Sequence, residues 1–398
     1  MAASAPSSRQ PAIPFYRDIR IIAIVVQVIF AIAVIGGIWL LYTNMIAGLS
    51  RANLLPSFSF LSQPAGFPIA ESVVAYDPSM SYQQAFVVGV LNTLRVAVVG
   101  VILATILGVI LGICRLSNNW LLRNVANIYI EVVRNIPLLL QLIFWFLLTK
   151  AFPRVQDSIN LSGFMFLHNR GVTMAWPRAN NDIGSWLIWV WGGLAIGVVF
   201  YVARRIQFAR RDRPGVALPY ALLIFLGVTA IGYLVTFLSS GNWPLIIETP
   251  QLQRFNFVGG ITVTASFAAL LIGLVIYTAT YIGEIVRSGI QSVSHGQREA
   301  ARALGLTPGQ TLRLVIFPQA LRIMIPPMTS QYLNLTKNSS LAVAIAYPDL
   351  FYVANTINNQ TGQAVPVILM LMASYLTVSL TTSLLMNWYN KKIQLVER

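Results

Sequence analysis

SHGQREAARALGLTPGQTLRLVIFPQAL, residues 294–321, interrupts an otherwise apolar chain with a polar, basic segment dense in helix start and stop signals. Ser294 and Gln297 stand at capping-box spacing, and Glu299 in the first turn suits the positive end of the helix dipole. The run QREAARAL (297–304) consists of strong helix formers, and Gly305 then fits the left-handed position that ends a helix. Two residues later a second helix starts: Thr307 is the N-cap, Pro308 sits at N1 where its missing N–H is harmless, and Gln310 completes another box. The expected product is a helix, a glycine turn and a second helix that enters the membrane near Pro318. Ala300, Ala301 and Ala303 leave a small-residue surface open to close approach by a partner. A helix resting on lipid headgroups needs a broad apolar face, which this segment lacks.

The surroundings set the class. The chain has 398 residues, 56% hydrophobic and 10% charged, whereas a soluble domain carries about a quarter charged residues. Apolar runs of roughly 20 residues recur, each long enough to cross the hydrocarbon of a bilayer. They lack the alternation of about 10-residue segments that marks a transmembrane barrel. Cys114 is the only cysteine, which excludes an intrachain disulfide and a zinc–cysteine cluster. His168 and His295 are the only histidines and lie far apart in sequence, a poor start for a metal site. The net charge of +15 sits at the ends of the apolar runs, so it reads as topology rather than as a nucleic-acid surface.

Clear spans cover 21–43, 95–114, 125–148, 184–203, 216–238, 259–283 and 365–389. The first is long and is followed by no small-residue cleavage site, so it reads as a retained anchor. Arg9, Arg17 and Arg20 place the N-terminus inside, and Arg115, Arg123 and the run RRIQFARRDR (204–213) mark further inside connections. That run also suits contact with anionic headgroups. The connections 44–83, 149–183 and 239–258 hold fewer bases and fall outside. Arg95 then starts its span at the external edge, where it is expected to snorkel.

Parity demands one more crossing. The segment 294–321 and the terminal NKKIQLVER are both basic, hence both inside, yet only one clear span separates them. The eighth crossing falls on 322–346, whose middle is polar: Gln331, Asn334 and Asn338 share one helical face, with Lys337 beside them. Such a face must meet protein or water rather than lipid. Pro326 and Pro327 are expected to bend or unwind this helix.

With these residues in place a resemblance becomes specific. EAARALGLTPGQTLRLVIFP (299–318) resembles the EAA loop of binding-protein-dependent ABC importer permeases: Glu-Ala-Ala, three residues, Gly, nine residues, then Ile-x-Leu-Pro. Glu299, Ala300, Ala301, Gly305 and Pro318 match; Val315 and Phe317 replace the usual Ile and Leu, apolar for apolar. YIEVVRNIPLLLQLIFWF (129–146), YIGEIVRSGIQSVSHGQ (281–297) and LNLTKNSSLA (333–342) look like segments of the polar amino acid branch, with Ser339 where Thr is common. The resemblance covers about 85–389 and implies an all-α, polytopic type I permease: a core of five helices plus three extra ones. The extra parts are the N-terminal span after a tail of residues 1–20, a periplasmic segment 44–84, and an insertion 149–258 carrying two helices; residues 390–398 form a cytoplasmic tail. Such an enlarged chain is similar to the larger permease subunit of general L-amino acid importers. The implied partners are a second homologous permease, a cytoplasmic ATPase dimer that holds ATP and Mg, and a periplasmic binding protein. The implied place is the bacterial inner membrane with both termini cytoplasmic. The segment 294–318 would be the coupling loop, with Glu299, Ala300, Ala301, Ala303, Gly305 and Pro318 facing or shaping the ATPase contact.

The residues agree that this chain is no ATPase. A phosphate-cradling loop needs Gly-Lys-Ser/Thr, and the lysines are Lys150, Lys337, Lys391 and Lys392, none after a glycine. An ion-coupled carrier or channel is the competing reading. It calls for carboxylates deep in the bilayer. Glu131 and Glu284 are the only acids in or at the edges of the spans, and their spacing to Arg134 and Arg287 suggests structural ion pairs. An amino acid substrate brings a carboxylate and an ammonium, so Lys337 with Gln331, Asn334 and Asn338 is the candidate pathway face; the second permease is the alternative holder of that site. Broad polar or acidic L-amino acids are the expected cargo.

Overall fold

The computed structural model describes residues 19–51, 56–210 and 217–393. Arg9 and Arg17, the end of the basic run at 211–213 and the tail beyond 393 lie outside them. Among the described residues the chain forms twelve helices. They are α1 (Ile19–Arg51), α2 (Tyr82–Arg115), α3 (Trp120–Asn135), α4 (Leu138–Lys150), α5 (Ile183–Arg210) and α6 (Leu218–Ser240), then α7 (Ala265–Gln291), α8 (His295–Ala303), α9 (Pro308–Thr311), α10 (Phe317–Asn338), α11 (Leu350–Thr361) and α12 (Ala364–Ile393). Six of them, α1, α2, α5, α6, α7 and α12, are each long and apolar enough to cross a bilayer. The bent pairs α3–α4 and α10–α11 bring the number to eight when each counts as one path.

α2 and α7 form the centre. They run parallel: Arg95 lies over the Phe267 ring, 4.1 Å from its centroid, Gly108 abuts Ile282 and Gly112 abuts Gly283 and Val286. Gly100, Ala104, Gly108 and Gly112 are buried at four-residue spacing along α2. Small residues in this register let two backbones approach closely where lipid supplies no hydrophobic drive. A Cβ on Gly112 would stand 2.7 Å from the Gly283 carbonyl oxygen. Gly112→Ala is therefore expected to cost about 1–3 kcal/mol by overpacking. The thermal midpoint in detergent should fall, whereas Gly36→Ala, at a position with nothing within 4 Å, should leave it unchanged.

α10 packs antiparallel along the length of α7. Met324 and Ala320 meet Gly289 near the end of α7, and Ser266 Oγ at its start donates to the Ile345 carbonyl at 2.8 Å. The poorly hydropathic segment thus runs alongside α7 from one end to the other. The helix does not unwind at Pro326 and Pro327: it continues through both. The irregular turns lie at its ends, a π-turn at Leu312–Ile316 and a 3-10 turn at Ser339–Ile345. The wide π-turn precedes Pro318, whose ring would otherwise crowd the carbonyl one turn back.

The expected continuous span 125–148 is instead two helices at 103°. Ile136, held extended at φ −98 and ψ 126 before Pro137, makes the break, because a residue before proline is driven out of the helical region. The insertion holds the antiparallel hairpin α5–α6, closed by Gly232 against Trp189 and by Trp186 Nε1 donating to the Thr229 carbonyl at 3.0 Å.

The all-α reading needs one addition. Eight short strands lie in the connections around the hairpin: β1 (Ile159–Leu161), β2 (Met165–His168), β3 (Gly171–Met174), β4 (Trp176–Ala179), β5 (Leu245–Glu248), β6 (Gln251–Gln253), β7 (Asn256–Val258) and β8 (Ile261–Thr264). They form an antiparallel sheet β1-β2-β3-β8 and two hydrogen-bonded pairs, β4–β5 and β6–β7. His168 is buried in this platform, 2.9 Å from Thr173 Oγ1 and stacked on Phe257. Burial, then the charge of Arg170, hold its pKa below the usual histidine range, which suits a neutral core residue.

Candidate coupling loop and polar helix face

The segment 292–318 leaves α7 and returns as α10. α8 ends on Leu304, and Gly305 adopts φ +75. Gly305 N–H donates to the Arg302 carbonyl at 2.9 Å and Leu306 N–H to the Ala301 carbonyl at 3.1 Å, the paired bonds of a Schellman ending. α9 begins with the expected box: Gln310 N–H donates to Thr307 Oγ1, and Thr307 N–H to Gln310 Oε1 at 2.9 Å. The first expected box does not form, since Ser294 makes no side-chain cap bond. Gln297 Oε1 instead accepts from Gln319 Nε2 at 3.3 Å, tying α8 to α10. Arg298 Nη2 donates to the Ile290 carbonyl at 2.8 Å, tying it to α7.

These ties fix which face of α8 is free. Ala301 is buried against the chain itself, while Glu299, Ala300, Ala303 and Leu304 are exposed. Pro318 is half-buried at the start of α10. Glu299 reaches His295 Nδ1 at 3.0 Å on the same helix. Leu304, 80% exposed, was passed over by the sequence reading. Its place one turn beyond Ala300 was the available signal, because residues four apart share a helix face.

Near the same end of the bundle, Glu284 is clamped by two arginines. Arg287 Nη2 lies 2.5 Å from Glu284 Oε1, and Arg115 from α2 reaches Oε2. Arg115 Nε also donates to Asn127 Oδ1 at 2.6 Å, so three helices meet there. The companion expectation fails: Glu131 is exposed and forms no ion pair with Arg134. Arg134 lies over the Tyr281 ring of α7 instead, 4.4 Å from its centroid, where an aromatic face attracts a guanidinium.

At the other end Arg95 does not snorkel. α2 begins at Tyr82, so Arg95 lies well inside the helix, with Nη1 2.6 Å from Glu71 Oε1. Thr264 Oγ1 donates to Glu71 Oε2 at 2.5 Å, and Asn92 Nδ2 to the Glu71 carbonyl at 2.8 Å. Asp349 is fully buried beside this group and caps α11 through Tyr352 N–H at 2.9 Å. Sequence reasoning missed Glu71 and Asp349. The N-cap spacing of Asp349 before an apolar helix was a usable signal; nothing local marks Glu71.

The polar stripe of α10 is where the periodicity placed it. Asn334 and Lys337 are exposed and Gln331 and Asn338 half-buried, while Ile325, Met328 and Leu335 of the same helix are buried. Among the described residues none of the four polar side chains makes a hydrogen bond or ion pair within the chain. The stripe therefore looks away from its own bundle.

Comparison with known proteins gives the family. The chain is 42% identical over 378 residues to the general L-amino acid transport system permease protein AapQ of Rhizobium johnstonii, covering 94% of this chain and 92% of that protein. It is 40% identical over 415 aligned residues to the glutamate/glutamine/aspartate/asparagine transport system permease protein BztB of Rhodobacter capsulatus, covering 96% of each. Residues 215–395 match the family described as binding-protein-dependent transport system inner membrane component. By this likeness along nearly its whole length, the chain belongs to the family of binding-protein-dependent inner membrane transport permeases.

Proposed function

We propose that this chain is the larger permease subunit of an ATP-driven importer of polar, acidic or broad L-amino acids. Its connection 294–318 faces the cytoplasm and seats on an ATPase dimer, which holds the ATP and Mg. A periplasmic binding protein delivers the substrate at the opposite end, and a second, homologous permease faces the polar stripe of α10. The observation that carries this reading is the rigid presentation of Glu299, Ala300, Ala303 and Leu304 on α8, pinned from behind by Gln319 and Ile290. Support for the cargo comes from the amino acid permeases it resembles over more than nine-tenths of its length. The ion-coupled carrier has less behind it, because Glu284 is held between Arg115 and Arg287 rather than free to exchange protons.

The test is direct. The tagged chain, expressed with its genomic neighbours, should co-purify with an ATPase and a second permease. In proteoliposomes it should take up labelled L-glutamate only with ATP and a binding protein present. Uptake driven by an ion gradient without ATP would sink the proposal and favour the carrier.

A further inference from the structure

The platform in the insertion carries a built cleft for which the five-helix core has no need. Three turns converge on it: 153–157 before β1, the β2–β3 turn at Asn169 and Arg170, and the β6–β7 turn at Arg254 and Phe255. Backbone and side-chain bonds lock them together. Asn169 N–H donates to the Pro153 carbonyl at 2.8 Å, Gln156 Nε2 to the Arg254 carbonyl at 3.4 Å, and Arg170 Nη1 to the Phe255 carbonyl at 3.5 Å. Beneath them Phe257 packs at a tilt on Phe166 and stacks on buried His168, with ring centroids 4.6 and 5.5 Å apart. The cleft, of about 280 Å3, is lined by Arg154, Gln156, Asn169, Arg170 and Phe255.

Its chemistry is one-sided. Arg154, Arg170 and Arg254 are exposed, and among the described residues none has a carboxylate within ion-pair distance. Among the platform's acids, Glu248 is held by Arg178 at 2.8 Å, half-buried Asp182 lies outside the cleft lining, and exposed Asp157 ends the 153–157 turn without lining the cleft. Phe255 stands 69% exposed at the rim. Arg254 beside it holds φ +52, the left-handed backbone that a two-residue hairpin turn calls for. Arginines without a carboxylate partner, flanking an exposed aromatic on a rigid frame, match the composition of protein interfaces rather than of an idle surface.

We infer that this cleft is a docking site for carboxylate side chains on an acidic face of the periplasmic binding protein. The inference rests on the importer reading above, which puts the platform on the delivery side. The platform leads into the start of α7, through Ala265 N–H donating to the Arg170 carbonyl at 2.8 Å, so a partner seated there stands over that end of the bundle. Bidentate arginine–carboxylate pairs would fix the partner's register, and unpaired positive charge would speed the encounter.

The experiment uses the whole complex in proteoliposomes, with its binding protein saturated with L-glutamate and titrated outside. For the double variant Arg154→Glu, Arg170→Glu, the binding-protein concentration giving half-maximal uptake should rise about tenfold or more at physiological salt, with maximal uptake preserved. The shift should shrink at high salt, where such charges are screened. Arg178→Glu, outside the cleft, should produce no comparable rise. An unchanged titration of the double variant, while the wild-type complex still responds to binding protein, overturns the docking site alone. A wild-type complex indifferent to binding protein overturns both the docking site and the importer reading. A changed dependence on free glutamate at saturating binding protein would make the cleft a substrate-anion site and also overturn docking.

Discussion

Gly305→Val is expected to lower ATP-driven uptake about tenfold or more while leaving membrane insertion intact. The cause is backbone rather than crowding, since a Cβ at Gly305 would have open space around it. What valine cannot accept is φ +75. A β-branched residue there costs about 1–2 kcal/mol or more, and relief requires the turn to open. Opening breaks the bonds from Gly305 to Arg302 and from Leu306 to Ala301 and lets α8 swing off its ties. The face carrying Glu299, Ala300, Ala303 and Leu304 is then no longer fixed, and each 1.4 kcal/mol of misplacement weakens ATPase seating about tenfold. Gly305→Asn, which tolerates left-handed backbone, should retain most activity. Glu299→Lys should act like valine by a different route, reversing the charge offered to the partner and opposing the helix dipole. The measurement is uptake and substrate-stimulated ATP hydrolysis in proteoliposomes, with complex assembly followed by co-purification. Normal uptake in both Gly305→Val and Glu299→Lys removes this loop from the coupling role.

That loop was legible residue by residue because its signals are local. A left-handed glycine and an N-cap threonine act within a few residues, and both are found. The failures share one physical cause, a remote competitor for a side chain. Gln297 was to close a box with Ser294, but Gln319 of α10 takes it. Arg134 was to pair with Glu131, but the Tyr281 ring of α7 takes it. Arg95 was to snorkel, but Glu71, in a connection without regular pattern, takes it. The break at Ile136–Pro137 was a different kind of miss. The proline was in view, and the apolar run on both sides outweighed it in a hydropathy window. The four-residue stripe Gly100, Ala104, Gly108, Gly112 was equally visible and went unread, although it decides how closely α2 and α7 pack. Parity, by contrast, points to a crossing in a segment that hydropathy marks weakly, because the charges at both ends of 322–389 are independent of the polar middle.

That crossing leads to the second large effect. Lys337→Met is expected to reduce uptake about tenfold to a hundredfold, with the complex still assembling and basal ATP hydrolysis persisting. Lys337 is exposed on α10, with Asn334 one turn before it, and neither side chain has a polar partner among the described residues of its own chain. Glu284 lies at the coupling-loop end of the bundle, away from Lys337, and is already engaged by Arg115 and Arg287. An uncompensated ammonium within a bilayer is costly, so its partner comes from outside the chain: the substrate carboxylate on the proposed reading, otherwise the second permease. A hydrogen bond to a charged group contributes about 1.5–3 kcal/mol, which sets the tenfold-to-hundredfold range at 1.4 kcal/mol per decade. Methionine keeps length and apolar stem while removing charge, so packing is changed little. Lys337→Arg, which keeps the charge but not the shape, should lose less than Lys337→Met. The three readings separate cleanly in one reconstitution. Lost uptake with intact assembly places Lys337 on the substrate path. Lost assembly makes it a contact of the second permease. Unchanged uptake means that the ammonium snorkels to an interface, and the pathway role of α10 would have to be given up.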